Sequence, residues 1–250
     1  MRIDINSDLG EQYGAWKMAD DSALIDTISS ANIACGFHAG DPRSMLNAVE
    51  SCARTGVAVG AHPGFADLIG FGRRPMMLSA LELRTDVMVQ IGALQAICKA
   101  VGVRLHHVKP HGAMYNMAAV DYEMSVSIVD AIASVMDDPL IYALPGSETA
   151  RAARDAGIRV AHEVFADRAY LADGQLAPRS LPGSVLHDVD AIIARAIRMV
   201  QGEPIDAIDG GTLVLQGDTI CVHGDTDDSV NIAKSLKKSL ISAGFTVSPL

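Results

Sequence analysis

The feature that most constrains this chain is a regular alternation. Seven short runs, Ile3–Ile5, Asn32–Cys35, Val57–Ala61, Leu105–Val108, Leu140–Leu144, Arg159–Val164 and Thr219–His223, read as strands. Each is followed by a long loop or by a segment with helical periodicity. The helical segments lie near Asp21–Ser29, Pro42–Arg54, Ser79–Val101, Asp121–Val135, Ser147–Ala156, Asp188–Gln201 and Asp227–Ala243. Their ends carry chemical signals. Asp41 is a natural N-cap before Pro42, and Gly56 suits a left-handed stop. The box Ser79-Ala80-Leu81-Glu82 opens the longest segment, and Gly102 ends it. Strands that alternate with helices form βα units, and these form a parallel sheet. The pattern leaves open a closed barrel or a doubly wound sheet. Both place ligands at the carboxyl ends of the strands. No composition break or Pro/Ser-rich linker divides residues 1–250, so one α/β domain is expected.

Composition excludes more than it identifies. With 49% hydrophobic residues the chain can fill a core. Thirty acidic against twenty basic residues give a net charge of −10, which disfavours a nucleic-acid backbone as partner. Aromatics at 4% leave few platforms for stacking bases. The opening MRIDINSDLGE lacks the apolar stretch of a signal peptide, and no apolar run reaches about 18 residues. A soluble cytoplasmic protein without membrane attachment is the expectation. Cys35, Cys52, Cys98 and Cys221 form no CxxC pair and read as reduced thiols.

The polar residues gather just after the strands. In DINSDLGE, Asp4, Asn6 and Asp8 share a parity, so an extended backbone turns them to one face, and Glu11 follows a glycine turn. NIACGFHAGDP contributes Asn32 and His38. GAHPGF contributes His62 and leads to Arg73 and Arg74. In HHVKPHGAMYN, His107, Lys109 and His111 share a parity that His106 does not. AHEVFADRAY brings Glu163 and Asp167 in phase, then Arg168 and Tyr170, and CVHGD brings His223 and Asp225. Each fragment has a plain structural reading. A histidine after a strand is commonly a packing residue, as His106 reads here, and His187 reads as loop. The glycines can mark turns, Asp41 a cap, and Arg73–Arg74 a solvated pair. The recurrence of acids, amides, histidines and cations at one end of at least five strands outweighs those readings together.

Such a rim suits a small polar anion. Arg73, Arg168 and Lys109 can hold a carboxylate or phosphate, with Asn6, Asn32 and Tyr170 as further hydrogen-bonding groups. Asp4, Asp8, Glu11 and Glu163 are candidate general acids or bases. His38, His62 and His111 are candidates for proton transfer. Asp4, His38 and His62 would be the metal ligands if there is a metal, although no compact HExxH signature is present. The sequence has no GxSxG elbow, no GxxxxGK[ST] loop and no strand-borne GxGxxG, so a nucleotide would bind without those motifs.

Several stretches resemble the LamB/YcsF family of 5-oxoprolinase A subunits. They are DINSDLGE at 4–11, SSANIACGFHAGDP at 29–42, GVAVGAHPGF at 56–65, GFGRRPM at 70–76, HVKPHGAMYN at 107–116, HEVFADRAY at 162–170 and VHGD at 222–225. They run in the family's order across nearly the whole chain, and NIACGFHAGDP with KPHGA is highly specific. Met114 stands where leucine is commoner. The resemblance implies a distorted seven-stranded β/α barrel like that of glycoside hydrolases and deacetylases. It implies ATP-dependent opening of 5-oxo-L-proline to L-glutamate, with ATP and Mg²⁺ as co-substrate and partner subunits B and C. Metal-dependent deacetylation or carbohydrate hydrolysis, and a non-catalytic binding role, are the alternatives. A homo-oligomer is compatible with the sequence.

Overall fold

The computed structural model describes residues 1–16, 21–222 and 229–250. His223, Asp225 and the expected helix start at Asp227 lie outside the described residues. Seven parallel strands close on themselves: β1 (Arg2–Leu9), β2 (Ser30–Ala34), β3 (Ala58–His62), β4 (Leu105–Val108), β5 (Leu140–Ala143), β6 (Arg159–Phe165) and β9 (Thr219–Cys221). Each pairs with the next, and β9 returns to β1, with Asp4 opposite Thr219 and Asn6 opposite Cys221. Of the two architectures the pattern allowed, the closed barrel is the one formed.

The helices wrap the outside because each presents an apolar stripe to the strands. They are α1 (Asp21–Ile25), α2 (Pro42–Thr55), α3 (Ala80–Val101), α4 (Gly112–Ala118), α5 (Tyr122–Val135), α6 (Glu148–Asp155), α7 (Val189–Gln201) and α8 (Ser229–Ser242). On α3, Leu83, Val87, Ile91, Leu94 and Cys98 recur every three or four residues and are buried. Truncating one of them, such as Leu94→Ala, would cost about 2–5 kcal/mol. Ile3, Ile5 and Leu9 of β1 join the same apolar core. The caps fall where the sequence put them. Ser79 and Glu82 form the reciprocal box on α3, Asp41 caps α2, and Gly56 and Gly102 end those helices in the left-handed conformation.

The differences from expectation are short elements. β1 extends to Leu9, so the motif DINSDL is itself strand, and α1 stops at Ile25. α4 begins inside the KPHGA motif, at Gly112, and was not expected. A hairpin of β7 (Pro204–Asp206) and β8 (Thr212–Val214) stands beside the barrel, and β10 (Thr246–Val247) pairs with the first residues of β1. The four cysteines are free and buried. Among the described residues, no helix is long and apolar enough to cross a membrane.

Candidate functional site

The inward-facing residues of the barrel form layers, and the lower ones are internally satisfied. Asp4 is fully buried. Its carboxylate accepts hydrogen bonds from the hydroxyls of Ser29 (2.6 Å), Ser30 (2.8 Å), Tyr142 (2.9 Å) and Thr219 (2.6 Å). One layer up, the Asn6 amide donates to Thr219 (2.7 Å), and the Asn32 amide donates to Asn6 and Asp8, both at 2.8 Å. The His107 ring meets Asn32 Oδ1 at 2.8 Å and stacks on Tyr142. None of Asp4, Asn6 and Asn32 borders the cavity described below. The structure thus places Asp4, expected as a catalytic or metal-binding residue, and Asn6 and Asn32, expected as ligand-binding residues, below the cavity rather than in its wall. Shared parity gave their common face but not their height in the barrel.

Above them, Lys109 stands at the end of β4. Its backbone N–H donates to Ala61 at 2.9 Å, which continues the β3–β4 pairing past the strand. Its Nζ lies 3.0 Å from Asp8 Oδ1, 2.8 Å from Glu163 Oε1 and 3.2 Å from Cys221 Sγ. Burial works against the ammonium charge, but the anionic groups facing it, Asp8 and Glu163 among them, outweigh burial and hold its pKa well above the ordinary lysine value. Burial pushes the Cys221 thiol up, so it remains protonated at neutral pH. Lys109, Asp8 and Glu163 are thus one buried charge group, brought together from β4, β1 and β6.

The histidines converge beside it. The His62 Nδ1 lies 2.7 Å from the Lys109 carbonyl and the His111 Nε2 lies 2.8 Å from the Phe71 carbonyl. A carbonyl only accepts, so each of those nitrogens carries a proton, and in the neutral ring the other nitrogen presents a lone pair. Those two, His62 Nε2 and His111 Nδ1, face each other at 3.0 Å. Glu11 Oε1 lies 3.4 Å from both His111 Nδ1 and His38 Nε2, and His38 stacks on His111 at 3.8 Å between ring centroids. Glu11 Oε1 and both ring nitrogens of His38 are buried without a hydrogen-bond partner. Burial pushes His38 and His111 well below the usual histidine range and raises Glu11 above the usual carboxylate range.

Backbone shape makes room for these rings. A Cβ on Gly64 would sit 2.5 Å from His38 Nδ1, and one on Gly72, whose φ is +61°, would sit 2.7 Å from His38 Cβ. Gln90 on α3 holds Gly64 by a pair of hydrogen bonds, 2.9 Å to its N–H and 3.0 Å to its carbonyl. Phe71 itself adopts φ +54°, a strained state for a bulky side chain, while its carbonyl anchors His111. In the sequence these glycines pass for turn markers. Their signal was the run Gly70-Phe71-Gly72 ahead of the arginines.

A cavity of about 410 Å³ opens over this assembly, within the range of small-molecule sites. Asp8, Glu11, His62, Lys109 and His111 border it on one side, and Arg73, Arg168 and Arg179 on others. Arg168 is held by the Ala177 carbonyl at 2.6 Å and the Ser184 carbonyl at 3.3 Å. Burial and the neighbouring Arg179 lower its pKa to about 10, so it stays charged at neutral pH. Arg74 is not part of the wall; it pairs with Asp67. Tyr170, expected as a ligand-binding residue, is buried outside the cavity, and its hydroxyl accepts from the Phe165 N–H at 2.9 Å. Arg179 was not singled out in the sequence, since its segment 177–184 carries no strand-end pattern.

The order and spacing of these residues are those of a known family, whose pattern matches residues 3–250. The chain belongs to the LamB/YcsF family. A LamB/YcsF relative from Syntrophobacter fumaroxidans, named as the A subunit of 5-oxoprolinase, is 47% identical over 247 residues, covering 99% of this chain and 98% of that one. The solved lactam utilization protein from Thermus thermophilus superposes with a TM-score of 0.94 at 46% identity, and all of both chains is covered. The catalytic domain of a peptidoglycan N-acetylglucosamine deacetylase from Eubacterium rectale matches at TM-score 0.52 and 12% identity, over 99% of this chain and 87% of that one. That last likeness is one of fold, and it agrees with the deacetylase-like barrel expected of a LamB/YcsF chain.

Proposed function

We propose that this chain is the A subunit of a 5-oxoprolinase and carries the lactam-opening step, acting with partner subunits B and C. The observation that carries this reading is the buried Lys109, clamped by Asp8 and Glu163 at the floor of an arginine-walled cavity. The names of the relatives agree with it.

A lactam carbonyl is a poor electrophile. In the proposed sequence its oxygen takes the γ-phosphoryl group of ATP, brought with Mg²⁺, and ADP leaves. Water then adds to the activated carbon. The ring C–N bond breaks as a proton reaches the nitrogen, and a second water releases phosphate and L-glutamate. Asp8 borders the cavity and is the residue suited to take the proton from water. Lys109 opposes the negative charge that develops on oxygen. Arg73, Arg168 and Arg179 suit the substrate carboxylate and the transferred phosphate. Glu163 keeps Lys109 charged and oriented, and His62, His111 and Glu11 form the wall beside the reacting carbon, with His38 stacked behind His111.

The partners fit a further feature. Ile69 and Met77 are each 91% exposed on the segment that carries Phe71 and Arg73. Exposed apolar side chains at a cavity rim suit a partner seated over it. We take residues 1–250 as one domain, which the closure of β9 on β1 supports.

The test is ATP-dependent glutamate release by the chain alone and after addition of B and C subunits, with wild type and Lys109→Met. Turnover that requires the partners and falls at least about 100-fold in the variant is expected. Wild-type turnover in a complex built on folded Lys109→Met would leave this chain in a non-catalytic binding role.

A further inference from the structure

We propose that Glu11, His38, His62 and His111 bind one divalent transition-metal ion, with zinc best suited to the donors, in the wall of the cavity. Each residue offers one ligand atom, and the four atoms lie within 4.8 Å of one another. Four ligands at about 2.1 Å around a tetrahedral ion stand about 3.4 Å apart. The separations here are 3.0 Å for His62 Nε2 to His111 Nδ1, 3.4 Å for Glu11 Oε1 to His38 Nε2 and to His111 Nδ1, and 4.0 Å for Glu11 Oε1 to His62 Nε2.

Three observations point to a cation rather than to packing. Two lone pairs facing at 3.0 Å repel unless something positive lies between them, and the carbonyls of Lys109 and Phe71 fix both rings in that tautomer. A ring N–H held by a backbone carbonyl is the usual outer support of a metal-binding histidine. The remaining donors, Glu11 Oε1 and His38 Nε2, are buried without hydrogen-bond partners, a cost that a bound ion would offset. The charges around the cluster are Asp8, whose Oδ2 lies 3.3 Å from His62 Nε2, Lys109, which pairs with Asp8 at 3.0 Å and with Glu163 at 2.8 Å, and Arg73, which acts on Glu11 and His38 through space. Three carboxylates, Glu11, Asp8 and Glu163, against Lys109 and Arg73 leave the cluster attractive to a dication. Imidazole with one carboxylate suits zinc and its first-row neighbours better than magnesium or calcium. Bound there, the ion would act as a Lewis acid toward an oxygen in the cavity. The cluster calls for a cation whatever the substrate in the cavity is.

The test uses the whole chain, stripped with a chelator and titrated with Zn²⁺ alone, with bound metal counted after gel filtration. A parallel titration with Co²⁺ reads the visible absorption of a four-coordinate site. Wild type and His106→Ala, a histidine outside the cluster, are expected to hold about one equivalent. His62→Ala and His111→Ala are expected to bind at least about 100-fold more weakly and to lose the cobalt bands. Wild type that takes up no metal overturns the proposal, as does equal binding by folded His62→Ala and His111→Ala. Should those variants not fold, the cobalt spectrum of wild type decides: four-coordinate bands support the site and their absence overturns it.

Discussion

Asp4 and Glu11 lie on the same segment, yet the protein treats them in opposite ways. Asp4, deep in the barrel, is met by four hydroxyl donors from β2, β5, β9 and the turn before β2. Glu11, past the end of β1, has a buried oxygen that accepts nothing, beside a histidine with neither ring nitrogen bonded. About 13 Å of strand separates the level of Asp4 from that of Asp8. Over that distance the interior changes from a layer in which the donors and acceptors are matched to one built around unmatched ones. A matched layer holds a fold together. An unmatched one is retained at a cost to stability and has its use when something else arrives.

Four outcomes would break or sharpen that contrast. Asp4→Ala strands four buried hydroxyls and should lower unfolding free energy by about 3–4 kcal/mol in urea titration; a loss below about 1 kcal/mol would erase the distinction. Asp8→Asn keeps the shape of the upper layer and removes the proposed base. Its assembled complex should release glutamate at least about 100-fold more slowly, about 2.7 kcal/mol in barrier, and chain stability should fall by about 1–3 kcal/mol, because Lys109 keeps only Glu163 as its carboxylate partner. Glu11→Gln takes a charge from an unmatched position, so without added metal its stability should stay within about 0.5 kcal/mol of wild type or rise, read by the same titration.

The smallest effect concerns the rim. Arg74 and the Gly70 N–H hold the Asp67 carboxyl at a pKa of about 2, below its ordinary 3.8. The stabilisation is therefore present above about pH 4 and lost as pH falls toward 2. Arg74 is largely exposed, so solvent screens the pair. Thermal midpoints of wild type and Asp67→Asn should differ slightly at neutral pH and converge near pH 2. A gap that widens on acidification would contradict the pairing.

The seven barrel strands could be read from the sequence because each is bounded by turn or cap residues with their own chemistry, such as Asp41, Gly56 and Gly102. The hairpin of β7 and β8 could not, since three-residue strands show no period. α4 was hidden because it begins at Gly112, a poor helix former, inside a motif read for its polar residues. In the site, alternation gave the right face for Asp4, Asn6, Asp8 and Lys109. It could not give their heights, which depend on register: Asp4 sits opposite Thr219 of β9 and Asp8 opposite Asn32 of β2. Glu11 and His111 lie beyond their strands, and their convergence on His38 and His62 depends on loop paths that periodicity does not describe. The strained Phe71 is of the same kind.

The pairing of β9 with β1 has a kinetic consequence. Asp4 and Thr219 are 215 residues apart, and Cys221 lies against Lys109 across 112. During synthesis the first strand, which carries Asp4, Asn6 and Asp8, emerges long before the strand that will cover its open edge. Until residues 219–221 arrive, that edge is exposed and the Asp4 carboxylate lacks its Thr219 donor. Closure over so long a loop is slow, so folding should be late and concerted, with the β1 edge as the segment most open to mispairing on the way.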